Sequence, residues 1–392
     1  MPTTKKLHVL HVTPYFDQAW AYGGIPRVAA TQVRELRDRG LRISVATTDA
    51  GSAIERTTQT DVDGIDLHIF PNASNRMAHR QQLFLPRGLR SFLSANAYRF
   101  DVAHLHACHN LLTTTAAAAM RRADIPYVVQ PNGTARRIER RRALKWVFDR
   151  LFGRGVLSGA ARVIAVSTPE QGHLEGLGIP LSQQALLPNP IDLKELEAPR
   201  DPGFLRRKYS LGEAPLILYL GQISPRKRVD LCVETLARLE DPRSHLVIAG
   251  ADMGHGDAVR RRISDLNLGH RVFFAGVLTG GDRLAALSEA DLVLYPTEDE
   301  IFGLVPLEAL LCGTPVVVSD DCGCGEIIQT IGGGLVTPVG DADALTAAAQ
   351  SMLSRPDRWK QPVTAAAETI RSRFGAATVC AGLEQLYLEV IQ

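Results

Sequence analysis

A chain of 392 residues exceeds what one hydrophobic core organises, and with 45% hydrophobic and 22% charged residues it reads as two folded domains, which excludes a disordered polypeptide. The formal charge of +2 conceals an asymmetry: residues 1–200 hold 26 Lys plus Arg against 17 Asp plus Glu, a net of +9, and the remainder nets −7. A basic half beside an acidic one suggests that the first faces an anionic surface or acceptor.

The polar start, Met1 to Lys6, leads into an apolar run, Leu7 to Val12, that His8, His11 and then Pro14 interrupt. No stretch approaches the roughly 18 uninterrupted apolar residues of a membrane span, and no signal peptide is present, so a cytoplasmic location is expected. After a Gly-bearing loop, Ile25, Val28, Ala29, Val33 and Leu36 have helical spacing that stops at Gly40. Strand candidates follow at Leu41–Val45, Ile65–Phe70, Val102–His106, Tyr127–Gln130, Val163–Ser167 and Ala185–Asn189, with helical stretches between most of them. Ile191 to Lys208, with Pro199 and Pro202, reads as a linker. The alternation then restarts at Leu216–Leu220, His245–Ala249, Val272–Ala275, Leu292–Tyr295 and Val316–Ser319, and the tail from Val363 is helical by pattern. This predicts an α/β fold of two mostly parallel sheets covered by helices.

The six cysteines lack the paired spacings of a zinc site and the density of a disulfide scaffold, so free thiols are expected. No GxGxxG follows the first strand, and neither GxxxxGK[ST] nor GxSxG occurs, which weakens dehydrogenase, NTPase and hydrolase readings.

The most informative string runs from Glu298 to Glu308, directly after the strand ending at Tyr295-Pro296. Gly303 permits a tight turn and Pro306 suits a first helical turn, so a helix amino terminus is predicted near Leu304 and Val305. Free N–H groups there form an anion site suited to a diphosphate. Glu300 before the turn and Glu308 inside the helix are candidates for gripping a sugar and a ribose through vicinal hydroxyls. In Gly221-Gln222-Ile223-Ser224-Pro225-Arg226-Lys227-Arg228, Lys227, with Arg226 close by, is the candidate cation for a leaving diphosphate.

With these strings the chain resembles the retaining glycosyltransferase family four of GT-B fold (group 1 glycosyl transferases). Further matching elements are Tyr22-Gly23-Gly24-Ile25, Asp101 to His106, Gln130-Pro131-Asn132-Gly133-Thr134, Val166-Ser167 and Pro188 to Asp192. The resemblance implies two Rossmann-like domains facing across a deep cleft: an acceptor domain over 1–192, a nucleotide-sugar domain over 193–371, and a C-terminal helix over 372–392 packing back on the first. It implies a hexosyltransferase that transfers a sugar with retention from a UDP-, GDP- or other nucleotide-diphosphate sugar, without metal or other cofactor. The acceptor would be a glycan or a lipid-linked molecule of bacterial surface polysaccharide or glycolipid synthesis, and nucleic acid is not an expected partner.

Carried over by position, the resemblance has Gly23 and Gly24 approach the donor phosphate and acceptor, and Lys227 contact the diphosphate. Phe302, Gly303, Leu304 and Val305 offer backbone amides, Glu308 holds the ribose, and Val277 borders the base. Two departures stand out. Gln222 replaces a usual Arg, leaving Arg226 to substitute, and Asn132 replaces a usual His near the donor sugar, where it can hydrogen-bond but carry no proton. Lys227, Glu300 and Asn132 are the expected catalytic residues, with His109 at the acceptor.

Asp61-Val62-Asp63 resembles a metal-binding DxD string but reads as a surface turn before a strand. His104, His106 and His109 have a metal-compatible spacing, yet no acidic or cysteine ligand matches them, so they read as polar residues at a strand end. Arg136 to Arg154 holds eight basic residues beside an apolar helical stripe, the pattern of a helix that lies on an anionic membrane or packs on a core. A sugar-nucleotide epimerase of the same fold and a non-catalytic subunit of a polysaccharide assembly complex are the competing readings.

Overall fold

The computed structural model describes residues 6–16, 24–50, 59–81, 84–135 and 154–392. The chain divides into two compact units, Met1–Ile191 with Ala376–Gln392, and Asp192–Gly375. Residues 372–375 therefore belong with the second unit.

Unit 1 is built on eight strands: β1 (His8–Val12), β2 (Arg42–Thr48), β3 (Gln59–Val62), β4 (Ile65–Phe70), β5 (Val102–His106), β6 (Tyr127–Gln130), β7 (Arg162–Ala165) and β8 (Gln184–Leu186). Their order is β3-β4-β2-β1-β5-β6-β7-β8, parallel except for the β3/β4 hairpin. The order runs outward in both directions from the junction of β1 and β5. Both faces of β1 are covered, so all five residues of HVLHV are buried, the two histidines included. On one face Leu10, Val12 and Leu105 pack with Leu112 and Met120 of the helix Leu111–Arg122, whose first turn Asn110 caps by accepting from Thr113 N at 2.8 Å. On the other, Val9, Ile43 and Val45 meet Val33 and Leu36 of the helix Gly24–Asp38, together with Cys380, Leu383, Leu386 and Tyr387 of the helix Ala376–Val390.

Unit 2 holds six parallel strands, β9 (Leu216–Leu220), β10 (His245–Ala249), β11 (Val272–Gly276), β12 (Leu292–Tyr295), β13 (Val316–Ser319) and β14 (Gly334–Thr337), in the order β11-β10-β9-β12-β13-β14. The chain lays down β9, β10 and β11 in one direction, then returns to place β12 on the other side of β9. Ile217, Tyr219, Ile248 and Leu294 pack against Val229, Val233 and Leu236 of the helix Val229–Arg238.

Several expectations need correction. The stretch read as a linker carries a 3-10 turn, Lys194–Glu197, and a helix, Phe204–Tyr209. It is tied down by Arg200 donating to Ser288 Oγ at 2.7 Å and by Glu289 accepting from the N–H of Leu205 at 3.0 Å. The run Ala185–Asn189 is a strand only to Leu186. Asp61 and Val62 lie in β3 and not in a turn; Asp61 Oδ1 accepts from Gly64 N at 2.8 Å and so closes the hairpin. The tail is two helices, Asp357–Phe374 and Ala376–Val390, parted at Gly375. All six cysteines are free thiols. Among the described residues no helix is long and apolar enough to cross a membrane. The basic stretch 136–153 lies outside the described residues, as does Gly23.

Candidate functional site

In an open parallel sheet the loops at the carboxyl ends of two neighbouring strands diverge where the strand order reverses, leaving a crevice in which ligands bind. In unit 2 that point lies between β9 and β12. The loop after β9 makes a 3-10 turn over Pro225–Lys227, and the loop after β12 opens the helix Leu304–Leu311. The two loops are stitched by their backbones: Glu298 N donates to Arg226 O at 2.8 Å, and Arg226 Nη1 to Asp299 O at 3.1 Å. Of the three consecutive cations, Arg228 is committed to Glu298 at 2.7 Å and to Asp230 at 3.2 Å.

Lys227 lies inward, only 8% exposed, and its ammonium is paired with the Glu300 carboxylate. Tyr295 at the end of β12 completes a triangle, receiving from Lys227 Nζ at 3.2 Å and donating to Glu300 Oε2 at 3.1 Å. Burial opposes ionisation of Glu300. The charges of Lys227 and Arg226 and the hydrogen bonds from Lys227 and Tyr295 outweigh it, holding the carboxyl below its ordinary value. Burial and the Glu300 charge push the Tyr295 phenol well up, so it stays a donor. An ammonium has three N–H groups, and two are engaged here, which leaves one for a phosphate oxygen.

Gly303 precedes the helix with φ 76°, and a Cβ there would stand 2.5 Å from Cys324 Sγ, so both conformation and space require glycine. The Cys324 N–H donates to Glu300 O at 2.9 Å, and Asp299 N to Asp321 Oδ2 at 2.6 Å, so the β13 loop braces the turn. Leu304 and Val305 are the first helical residues, in the partly exposed turn where unpaired N–H groups concentrate. The Phe302 ring is buried edge-on against Phe374, leaving its backbone as the part that can serve a ligand. Gln222 is held through its carbonyl, which accepts from Tyr219 at 2.7 Å, and Val277 is 50% exposed after β11. Glu308 lies deeper, 2% exposed and ion-paired with Arg283, which the sequence reading did not identify.

In unit 1 the expected residues sit on the loops after β5 and β6. Asn132 has φ 50°, and neither atom of its buried amide has a partner among the described residues. The turn that carries it is fixed by Glu170, which accepts from Gly133 N at 2.6 Å and from Val166 N at 2.9 Å. Burial raises the Glu170 carboxyl to about 7 despite these two bonds. The two loops are joined by Cys108 N donating to Thr134 Oγ1 at 2.8 Å and by the contact of His109 Nε2 with Ala135 O at 2.9 Å. Gly24 begins its helix and is exposed.

The histidines regroup. His11 pairs in register with His104, and with His106 they form a fully buried stack apart from His109. His11 Nδ1 lies 3.0 Å from His106 Nε2, and His104 Nδ1 lies 2.6 Å from the Tyr387 hydroxyl. Burial lowers all three, His106 to about 3, so they are neutral. One ligand atom from each ring lies within 4.8 Å of the others, but His11 Nδ1 is engaged with His106 and His104 Nδ1 with the Tyr387 hydroxyl. The geometry is that of a hydrogen-bonded stack.

Comparison with known proteins bears on both units. Residues 203–369 match the family model described as glycosyl transferases group 1, and residues 22–195 match the model of glycosyltransferase family 4. A D-inositol 3-phosphate glycosyltransferase of Frankia alni is 29% identical over 391 residues, 93% of this chain and 94% of that protein. A glycogen synthase of Mycobacterium tuberculosis is 31% identical over 316 residues, 76% of this chain and 71% of that protein. Among solved structures, the Anabaena protein HepE in complex with UDP-glucose superimposes with a TM-score of 0.74 at 18% identity, covering 98% of this chain and 100% of that one.

Proposed function

The chain belongs to the group 1 glycosyl transferases of glycosyltransferase family 4 and has their GT-B fold, and from that premise we propose that it is a retaining hexosyltransferase. Its donor is a nucleotide-diphosphate sugar, and its acceptor a glycan or lipid-linked molecule of bacterial surface polysaccharide or glycolipid synthesis. The observation that carries the reading is the Lys227–Glu300–Tyr295 triangle at the point of strand reversal, beside the amino terminus of the helix Leu304–Leu311.

In this reading the diphosphate sits between Lys227 and the backbone amides from Phe302 to Val305, with Arg226 in the role left by Gln222. As the glycosidic bond breaks, negative charge accumulates on the leaving diphosphate. A fixed cation and a helix amino terminus stabilise that charge more than the ground state, so no divalent metal or other cofactor is required. Glu300 exchanges its partner for the hydroxyls of the transferred sugar, Glu308 holds the ribose, and Val277 borders the base. Within unit 1, Asn132 offers to a sugar hydroxyl an amide that has no partner among the described residues, and His109 contacts the acceptor. HepE's complex with UDP-glucose supports the donor class by analogy of fold. The basic stretch from Arg136 places the enzyme peripherally on an anionic membrane leaflet; recovery of the protein with neutral and anionic liposomes alike on flotation argues against that placement.

A thermal-shift panel of UDP, GDP, ADP, CDP and dTDP tests the donor assignment. One base is expected to stabilise the protein by about 2.7 kcal/mol at a concentration near one hundred times its dissociation constant. A panel with no response from any nucleotide overturns the reading.

A further inference from the structure

The helix Gly280–Glu289 of unit 2 bears a charged residue on its apolar side. The Arg283 side chain is 5% exposed, between two carboxylates. Its Nη1 donates to Glu308, and its Nη2 to Glu195 Oε2 at 3.1 Å. Glu195 belongs to the 3-10 turn Lys194–Glu197, in the segment by which the chain enters unit 2. The same helix anchors that segment again. Gly281 abuts the Pro199 carbonyl so closely that any Cβ would collide, Ser288 receives from Arg200, and Glu289 receives from the N–H groups of Leu205 and Arg206 at 3.0 and 3.2 Å.

We infer that Arg283 is the positioning residue for recognition of the ribose, fixing the Glu308 carboxylate and tying its occupancy to residues 194–206. The inference rests on the reading of Glu308 as the ribose carboxylate. A carboxylate this deeply buried stays ionised only with a charged partner, and a planar guanidinium holds it in one orientation. The Arg283 bond uses only part of a carboxylate's acceptor capacity of about four lone-pair positions, and a vicinal diol requires two. Arg283 spans Glu308 and Glu195 with separate nitrogens, a fork that the single ammonium of lysine does not reproduce. A ligand that binds only when Glu308 is held therefore also stabilises the clamp on Glu195.

The test compares the affinity of the ribonucleoside diphosphate that stabilises the protein most in the panel with that of its 2′,3′-dideoxy counterpart. Wild-type protein is expected to prefer the ribose form by about ten- to hundredfold, the worth of hydrogen bonds to a charged acceptor. In R283M and R283K the preference is expected to fall to about threefold or less while dideoxy affinity stays within about twofold of wild type, since only the hydroxyl contacts are lost. Amide exchange over residues 194–206 is expected to slow with the ribose form and not with the dideoxy form. E308Q separates the two levels of the argument. If E308Q keeps the full preference, the ribose reading itself is wrong. If E308Q loses it and R283K or R283M retains it, Arg283 does not position the carboxylate. R283K preserves the buried charge, so it supplies the answer should R283M fail to fold.

Discussion

Replacing Lys227 with Met removes one ammonium and keeps most of the stem's volume, so two separable effects follow from its contacts. The side chains of Lys227 and Glu300 are 10% and 19% exposed, and loss of Nζ strands a carboxylate that keeps only the Tyr295 hydroxyl at 3.1 Å and the more distant Arg226 charge. Breaking a buried pair from one side costs about 3–5 kcal/mol, and the remaining phenol bond and partial exposure argue for about 2–3 here. Adding E300Q removes the stranded charge, so K227M/E300Q is expected to return to within about 1 kcal/mol of wild type. Catalysis behaves differently. Loss of a charge-assisted contact to the leaving diphosphate costs about 2–4 kcal/mol in the transition state, roughly 30- to 1,000-fold in kcat/KM, and the double variant does not recover it. Urea melts and steady-state kinetics with the donor chosen by the panel measure the two quantities. A K227M enzyme within about threefold of wild type in kcat/KM, or a double variant that regains activity along with stability, refutes the argument.

Glu170 predicts a pH dependence of stability. Its folded value of about 7 lies above the ordinary 4.5, so the folded state holds the proton more tightly, and stability falls as pH rises from 4.5 through 7 before levelling off. The effect is on the order of 3 kcal/mol over that window and is expected to vanish in E170Q; urea melts at pH 5 and pH 8 that show the same difference in both proteins contradict it. Gly303→Ala forces a side chain into a left-handed backbone and against Cys324 Sγ, 2.5 Å away. A stability loss of about 1–3 kcal/mol with weakened donor affinity is expected, and a variant that melts and binds like wild type shows that the turn has room to relax.

Most strands were legible because a strand buried on both faces is a short apolar run, and LILYL at β9 or VVVS at β13 has no other economical reading. The two omitted strands fail that rule. β3 is the polar edge QTDV, and β14 begins with a glycine after Gly332-Gly333, a composition that signals a loop. The helix start at Leu304 was readable from Gly303 and Pro306, since both act through local backbone geometry. What was not readable depends on long-range register. Lys227 meets Glu300 because β12 returns to the side of β9, and His11 joins His104 because β1 and β5 pair in that register. Arg283 did carry a signal: a lone cation beside Leu284, Ala285, Ala286 and Leu287 must be solvated or paired, but nothing local says with which acid.

The division of the chain also bears on how the molecule is made. Cys380, Leu383, Leu386 and Tyr387 belong to the core of the first unit, yet they leave the ribosome only after the whole of the second. The second unit can mature as one uninterrupted stretch during synthesis, whereas the first must wait with the apolar side of β1 and β2 covered by the helix Gly24–Asp38 but not yet by Ala376–Val390. A fragment ending at Ile191 would keep exposed the part of that surface which Cys380, Leu383, Leu386 and Tyr387 cover, and joining the helix Ala376–Val390 to it through a short tether is the direct route to a soluble isolated half.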